Sequence, residues 1–211
     1  MLEAEFRKFD APNPIDQYAY DLATREGVIS YPYLDSIGLV TYGVGECCRE
    51  PVKFMSVPWK MSTTGALATP EEVGAAWGLL KAEHDRILAV WGKSTAGAFK
   101  AYGAWHYHDK TLLRMAPGEA MQRCKNLLVS FVEELKKSFP TWDQLPGECR
   151  RCLVDLAWNA GAVGFAKRWP KLVAAIAAGD YRAAAEECHT DGESEGRGMW
   201  RRQRMLSCVG A

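Results

Sequence analysis

The chain has 211 residues, is 48% hydrophobic and carries a formal net charge of zero. That apolar content suits a packed core and excludes an intrinsically disordered chain. Zero net charge excludes a general basic footprint for nucleic acid and any long-range attraction to anionic wall polymers.

Met1–Lys8 is polar and mixed in charge, so it does not read as a secretory signal. The longest apolar run, Lys171–Gly179, is too short for a membrane span. Synthesis in the cytoplasm without a signal peptide, no stable membrane insertion, and delivery by another agent to any target outside the cell are the expectations. Seven cysteines, an odd number, favour reduced thiols over a disulfide framework. Cys47-Cys48 and the lone Cys149-x-x-Cys152 lack a second pair at zinc-finger spacing and read as small buried thiols.

The first predicted element is a helix over Pro14–Glu26. Asn13 is a good N-cap, Pro14 suits the first helical position, and Gly27 suits a left-handed C-cap. Ile15, Tyr18, Ala19, Leu22 and Glu26 share one face at helical spacing. Glu26 therefore ends an apolar stripe beside the negative end of the helix dipole. Both the dipole and partial burial favour its protonated form, as a general acid requires. Ile29–Val44 reads as short strands, with Tyr31 and Tyr33 on one face and Ser30, Pro32 and Leu34 on the other. Asp35-Ser36-Ile37-Gly38 is a turn signal, and Leu39–Tyr42 pairs back as a hairpin. Gly43 and Gly45 suit a tight bend.

Glu46–Thr69 reads as irregular, broken by Pro51, Pro58 and Gly65. Thr69-Pro70-Glu71-Glu72 is a capping box opening a helix to about Trp91, with Val73, Trp77, Leu80, His84, Ile87 and Leu88 along one face and Gly92 at its end. Thr95–Thr111 is aromatic without a clear period. A helix runs from about Pro117 to Phe139, with Met121, Cys124, Leu127, Leu128, Phe131 and Leu135 as its stripe, and Pro140 stops it. The next, Cys149 to about Ala160, is apolar on most sides and reads as central and buried. Further helices are predicted at Trp169–Ala178, Tyr181–Cys188 and about Met199–Cys208.

The chemistry concentrates early. Glu26, eight residues, Asp35, five residues and Thr41 place two carboxylates and a hydroxyl on one short unit. These are the parts that cleave a glycosidic bond: one carboxyl protonates the leaving oxygen, and the other holds or activates water or attacks the sugar. The pair His106-x-His108 needs a third ligand and a strand to serve a metal. Asp109 and His84 are available but nothing fixes them, so neither a metal nor another cofactor is expected, and a surface loop with sugar-stacking aromatics is preferred. Arg197, Arg201, Arg202 and Arg204 read as a solvated helix face with one arginine turned inward, not as a nucleic-acid site.

On the Glu-x8-Asp-x5-Thr spacing, the Trp158-Asn159-Ala160-Gly161 ending of the central helix, and the later Phe165, Gly179-Asp180-Tyr181 and Gly198–Arg202 runs, the chain resembles the phage-type lysozymes, glycoside hydrolase family 24. The similarity covers about residues 13–46 and 115–208. It implies one catalytic domain over 1–211, of α+β class and mostly α: a lysozyme-like two-lobed fold with a small three-stranded antiparallel sheet, a long central helix and an inserted segment. It also implies hydrolysis of the β-1,4 bond between N-acetylmuramic acid and N-acetylglucosamine in peptidoglycan, usually with inversion. Carried over, Glu26 is the general acid, Asp35 activates the water and Thr41 helps hold it. Trp158 and Asn159 bind substrate, and Arg201 approaches the catalytic Glu26, where it would lower that group's pKa.

Two departures stand out. Glu46 occupies a place where the family commonly has His, and altered local packing is expected there without loss of activity. Residues 46–115 exceed the family's linker and read as an insertion. The alternative makes the Thr69 helix the family's own and puts the insertion at Gly92–Pro146. The first alignment is preferred, because Pro117–Phe139 leads directly into the central helix. The insertion would extend the glycan cleft, dock on a phage or secretion particle, or bind an immunity protein, and a monomer is expected. The rivals are a lytic transglycosylase, disfavoured by Asp35 with Thr41, and a non-catalytic peptidoglycan-binding protein.

Overall fold

The computed structural model describes residues 13–91, 97–190 and 194–210. The fold is mostly helical, with two small antiparallel sheets among the described residues. The chain forms two compact units, one from the residues up to Leu22 and from Lys125 onward, the other from Ala23–Cys124. No described helix is long and apolar enough to cross a membrane.

Helix α1 is Pro14–Glu26. Asn13 caps it, accepting the Ile15 N–H on its side chain at 3.0 Å, and Gly27 leaves it at φ +76° while its N–H reaches Ala23 O. Both ends lie where the local signals place them.

The Ala23–Cys124 unit holds the main sheet, β1 (Ile29–Leu34), β2 (Val40–Gly43) and β3 (Glu46–Cys48), antiparallel in the order β1-β2-β3. The register sets Tyr33 opposite Thr41 and Thr41 opposite Cys47. Gly43 and Gly45, at φ +62° and +79°, make the bend between β2 and β3.

The irregular stretch expected after Glu46 contains structure. It begins with β3 itself, then short helix α2 (Pro51–Met55), strand β4 (Lys60–Met61) and helix α3 (Pro70–Trp91). Two 3-10 turns, Phe99–Ala101 and Ala104–Tyr107, lead into β5 (Leu113–Arg114), which pairs with β4. The capping box is reciprocal: Glu72 N–H donates to Thr69 Oγ1 at 3.2 Å, and Thr69 N–H to Glu72 Oε2 at 2.8 Å. Gly92, expected to end α3, lies outside the described residues. Phe54, Trp59, Leu80, Ile87, Phe99 and Tyr107 of this segment share one core with Leu34, Val40 and Tyr42 of the sheet. The segment is thus built into the unit that carries the hairpin.

Glu83 on α3 was not part of the expected apolar stripe, yet it is buried with Val73, Ala76, Leu80 and Ile87. Two guanidinium bonds from Arg86 at 2.8 Å and His106 Nε2 at 2.8 Å compensate its charge. The Arg86 bonds, against the cost of burial and helped by His106 and Lys110, hold its carboxyl at about 2. Because the folded pKa lies below the unfolded one, the stabilisation is complete above about pH 5 and fades as pH falls toward 2. It amounts to no more than about 3 kcal/mol at 1.36 kcal/mol per pKa unit. Urea unfolding of wild type against Glu83→Gln is expected to show a gap at pH 7 that closes toward pH 2. A gap independent of pH would contradict this ion-pair account.

The other unit is helical. Helix α4 (Pro117–Ser138) enters it at Lys125, followed by α5 (Gly147–Ala160), α6 (Phe165–Arg168), α7 (Pro170–Ala177), α8 (Tyr181–Glu187) and α9 (Glu195–Leu206). As expected, α5 is buried on most sides, through Cys149, Cys152, Leu153, Val154, Leu156 and Ala157, and Gly161 ends it at φ +87°. Asp155, also on α5, is 1% exposed and takes two Arg197 bonds at 3.0 Å, with Arg201 Nη1 at 3.5 Å. Arg151 forks onto Asp21 with two bonds of 2.6 Å, tying α5 to the first part of α1. Phe139, Trp142, Phe165 and Trp169 form an aromatic chain with centroids 4.7–6.4 Å apart.

Candidate active site

Glu26, Asp35 and Thr41 all belong to the Ala23–Cys124 unit. Glu26 is half-buried in the last turn of α1, Asp35 follows β1, and Thr41 is buried on β2. Asp35 is locked by its own turn. Its Oδ1 accepts the Ile37 and Leu39 N–H groups at 2.9 Å each, its backbone N–H reaches Leu39 O at 2.9 Å, and its carbonyl accepts Gly38 N–H at 3.0 Å. An Asp that bonds the backbone two and four residues on builds the turn and fixes its own rotamer together. Oδ2 is left facing Thr41, whose hydroxyl lies 3.3 Å from it and 3.1 Å from Leu39 O. One hydroxyl proton serves either acceptor, and the Thr41 lone pairs stay available to a donor.

Tyr33 lies on β1 opposite Thr41. Its hydroxyl pKa is pushed up first by burial and then by the negative charges of Glu26 and Asp35. The phenol stays protonated and can act as a hydrogen-bond donor. Sequence reasoning put Tyr33 on a strand face without a role. The signal was available only through register, since Tyr33 stands opposite Thr41.

The same cross-strand row ends in Cys47, opposite Thr41 on β3. Of the seven free cysteines it is the exposed one, the other six being buried. Partial desolvation, then the Asp35 charge, pushes its thiol above its ordinary value. Alkylation of native protein, read by peptide mass spectrometry, is expected at Cys47 alone, and faster at fixed pH in Asp35→Asn. Labelling spread over several cysteines, or no acceleration in Asp35→Asn, would contradict this placement.

Glu46, the acid found where the family commonly has His, is engaged by Arg123 Nη2 at 2.7 Å and Nε at 3.0 Å, and it accepts the Tyr42 hydroxyl at 3.1 Å. Arg123 lies 5.7 Å from the Tyr42 ring centroid. Glu46 thus works as a strut between β3 and α4.

Trp158, Asn159 and Arg201 belong to the other unit. Trp158 is half-buried against Phe131, ring centroids 5.4 Å apart, and Asn159 is exposed in the last turn of α5. Arg201 is fully buried, with Asp155 as its charge partner, while the Cys152 thiol donates to its carbonyl at 3.2 Å. Burial lowers its pKa, and Asp155 opposes that. The expected inward arginine is thus Arg201. Its neighbours pair individually, Arg197 with Asp155, Arg202 with Glu186 and Arg204 with Glu148.

His106 and His108 face different partners, Glu83 at 2.8 Å and Asp109 at 2.6 Å. Among the described residues no group of three or more His, Cys, Asp or Glu is placed to hold a metal ion. A scan against protein-family models finds no match to the chain, and no curated protein matches it by sequence.

Proposed function

We propose that the protein is a muramidase with a lysozyme-like fold, which hydrolyses the β-1,4 bond between N-acetylmuramic acid and N-acetylglucosamine in peptidoglycan. The observation that carries this reading is the locked Asp35 carboxylate, with one oxygen turned to the Thr41 hydroxyl. In this mechanism Glu26 gives its proton to the glycosidic oxygen as the C1–O bond breaks. Water held by Asp35 and Thr41 attacks C1 from the opposite face and passes its proton to Asp35, which inverts the anomeric centre. Proton exchange with solvent resets both acids. Trp158 and Asn159 as sugar-binding residues belong to the same proposal.

The chain would be made in the cytoplasm and act on the wall after delivery, as a phage endolysin, a tail-associated lysozyme or an antibacterial effector. A lytic transglycosylase needs an acid but no hydrolytic water, so the Asp35–Thr41 pair weighs against it. A peptidoglycan zymogram tests the proposal. Wild type is expected to clear the gel, and proton NMR of a soluble glycan digest to show the inverted anomer first. Absence of clearing by folded protein would sink the enzyme reading in favour of a binding protein.

A further inference from the structure

We propose that His84 and Phe99, both from the 46–115 segment, are positioning residues that clamp the turn carrying Asp35. The proposal rests on the muramidase reading for its catalytic consequence, but its structural core stands without it.

Gly38 is the contact point. It closes the Asp35 turn at φ +82°, and it is buried although its neighbours Ser36 and Ile37 are exposed. A methyl group built on Gly38 would lie 2.7 Å from Cε2 and Cζ of Phe99 and 2.9 Å from Cδ2 of His84. The two ring edges therefore fill the space that a side chain at this position would take. The rings themselves stack, centroids 5.2 Å apart and planes 21° apart, so they act as one slab. Phe99 is fully buried in the shared core, and Asp85 Oδ1 holds His84 Nδ1 at 2.9 Å. The slab has little freedom to retreat.

The turn links that contact to the carboxylate geometry. Gly38 lies between Ile37 and Leu39, whose N–H groups both bind Asp35 Oδ1. Pinning Gly38 keeps those two donors converged, which holds Oδ2 toward Thr41. A hairpin tip held only by its own bonds would sample open forms at low cost. An error of about 1 Å in a water-activating group costs about 100-fold in rate. The segment thus supplies the rigidity that the exposed tip lacks.

The test combines amide hydrogen exchange with steady-state kinetics on a soluble glycan oligomer. His84→Ala and Phe99→Leu are expected to speed exchange at Ile37 and Leu39 by about tenfold relative to amides of β2. They are also expected to lower kcat by about tenfold or more at nearly unchanged KM, because the lost contact acts on the reacting geometry and not on sugar binding. His84→Phe keeps a ring at the contact and should restore both. Val73→Ala, about three helical turns earlier on α3, should lower the unfolding temperature without either effect. Exchange that is unchanged, or faster by the same factor across the whole sheet, overturns the clamp. Selective exchange with unchanged kcat in an active enzyme overturns its positioning role. If wild type cleaves nothing, the muramidase reading fails while the exchange result still decides the clamp.

Discussion

Replacing Glu26 by Gln is expected to reduce release of reducing ends from peptidoglycan by at least about 100-fold, the lower end of what a positioned general acid contributes. Gln matches the shape of Glu and keeps a hydrogen-bonding head but has no acidic proton to give. A melt of the variant shows whether the protein is still folded, so that a loss of turnover is read as chemistry. Asp35→Asn should also abolish turnover by removing the base. It is expected to cost some stability too, because a neutral amide oxygen accepts the Ile37 and Leu39 N–H groups less strongly than a carboxylate. Thr41→Val, which removes only the hydroxyl facing Asp35, should fall between wild type and Asp35→Asn. Kinetics with circular-dichroism melts on the three variants check the order. Full activity in Glu26→Gln would remove Glu26 from the mechanism.

Asp155→Ala is expected to destabilise the fold by about 3–5 kcal/mol, the usual cost of breaking a buried ion pair by removing one member. Arg201 is fully buried and Asp155 is its ion-pair partner, while Arg197 binds the same carboxylate through two bonds. Asp155→Asn separates charge from volume. It preserves packing on α5, so a loss nearly as large as that of Asp155→Ala assigns the effect to the charge. A neutral Asp155→Asn in urea unfolding would show that the buried guanidinium does not depend on this carboxylate.

The features legible in the sequence were those built from local chemistry. Asn13 and Gly27 bound α1, the Asp35–Gly38 turn closes the hairpin, and Thr69 with Glu72 forms its capping box, each within a few residues. The rest depends on partners far apart in the chain. Strands β3, β4 and β5 are two or three residues long, too short for an alternating pattern, and exist through pairing. Glu83 looked like a polar break in the α3 stripe because one of its partners, His106, lies 23 positions away. The reading of His106-x-His108 as a loop pair missed that contact for the same reason.

The candidate site divides in the same way. Of the spaced triple Glu26, Asp35 and Thr41, the hairpin brings together Asp35 and Thr41, whose separation is set locally. Tyr33 and Cys47 became visible only when register aligned them with Thr41. One arginine of the 197–204 cluster was expected to turn inward, and Arg201 does so, but Asp155, a charge partner of it, sits in the middle of a helix that reads as apolar. Gly38 looked like an ordinary turn glycine until the His84–Phe99 slab was found against it.

The central claim is tested most directly by mass spectrometry of the soluble fragments that the wild-type protein releases from purified peptidoglycan. The account predicts muropeptides ending in a hydrated, reducing N-acetylmuramic acid, with none formed by Glu26→Gln. Fragments ending in 1,6-anhydro-N-acetylmuramic acid, or no fragments from folded protein, would contradict it.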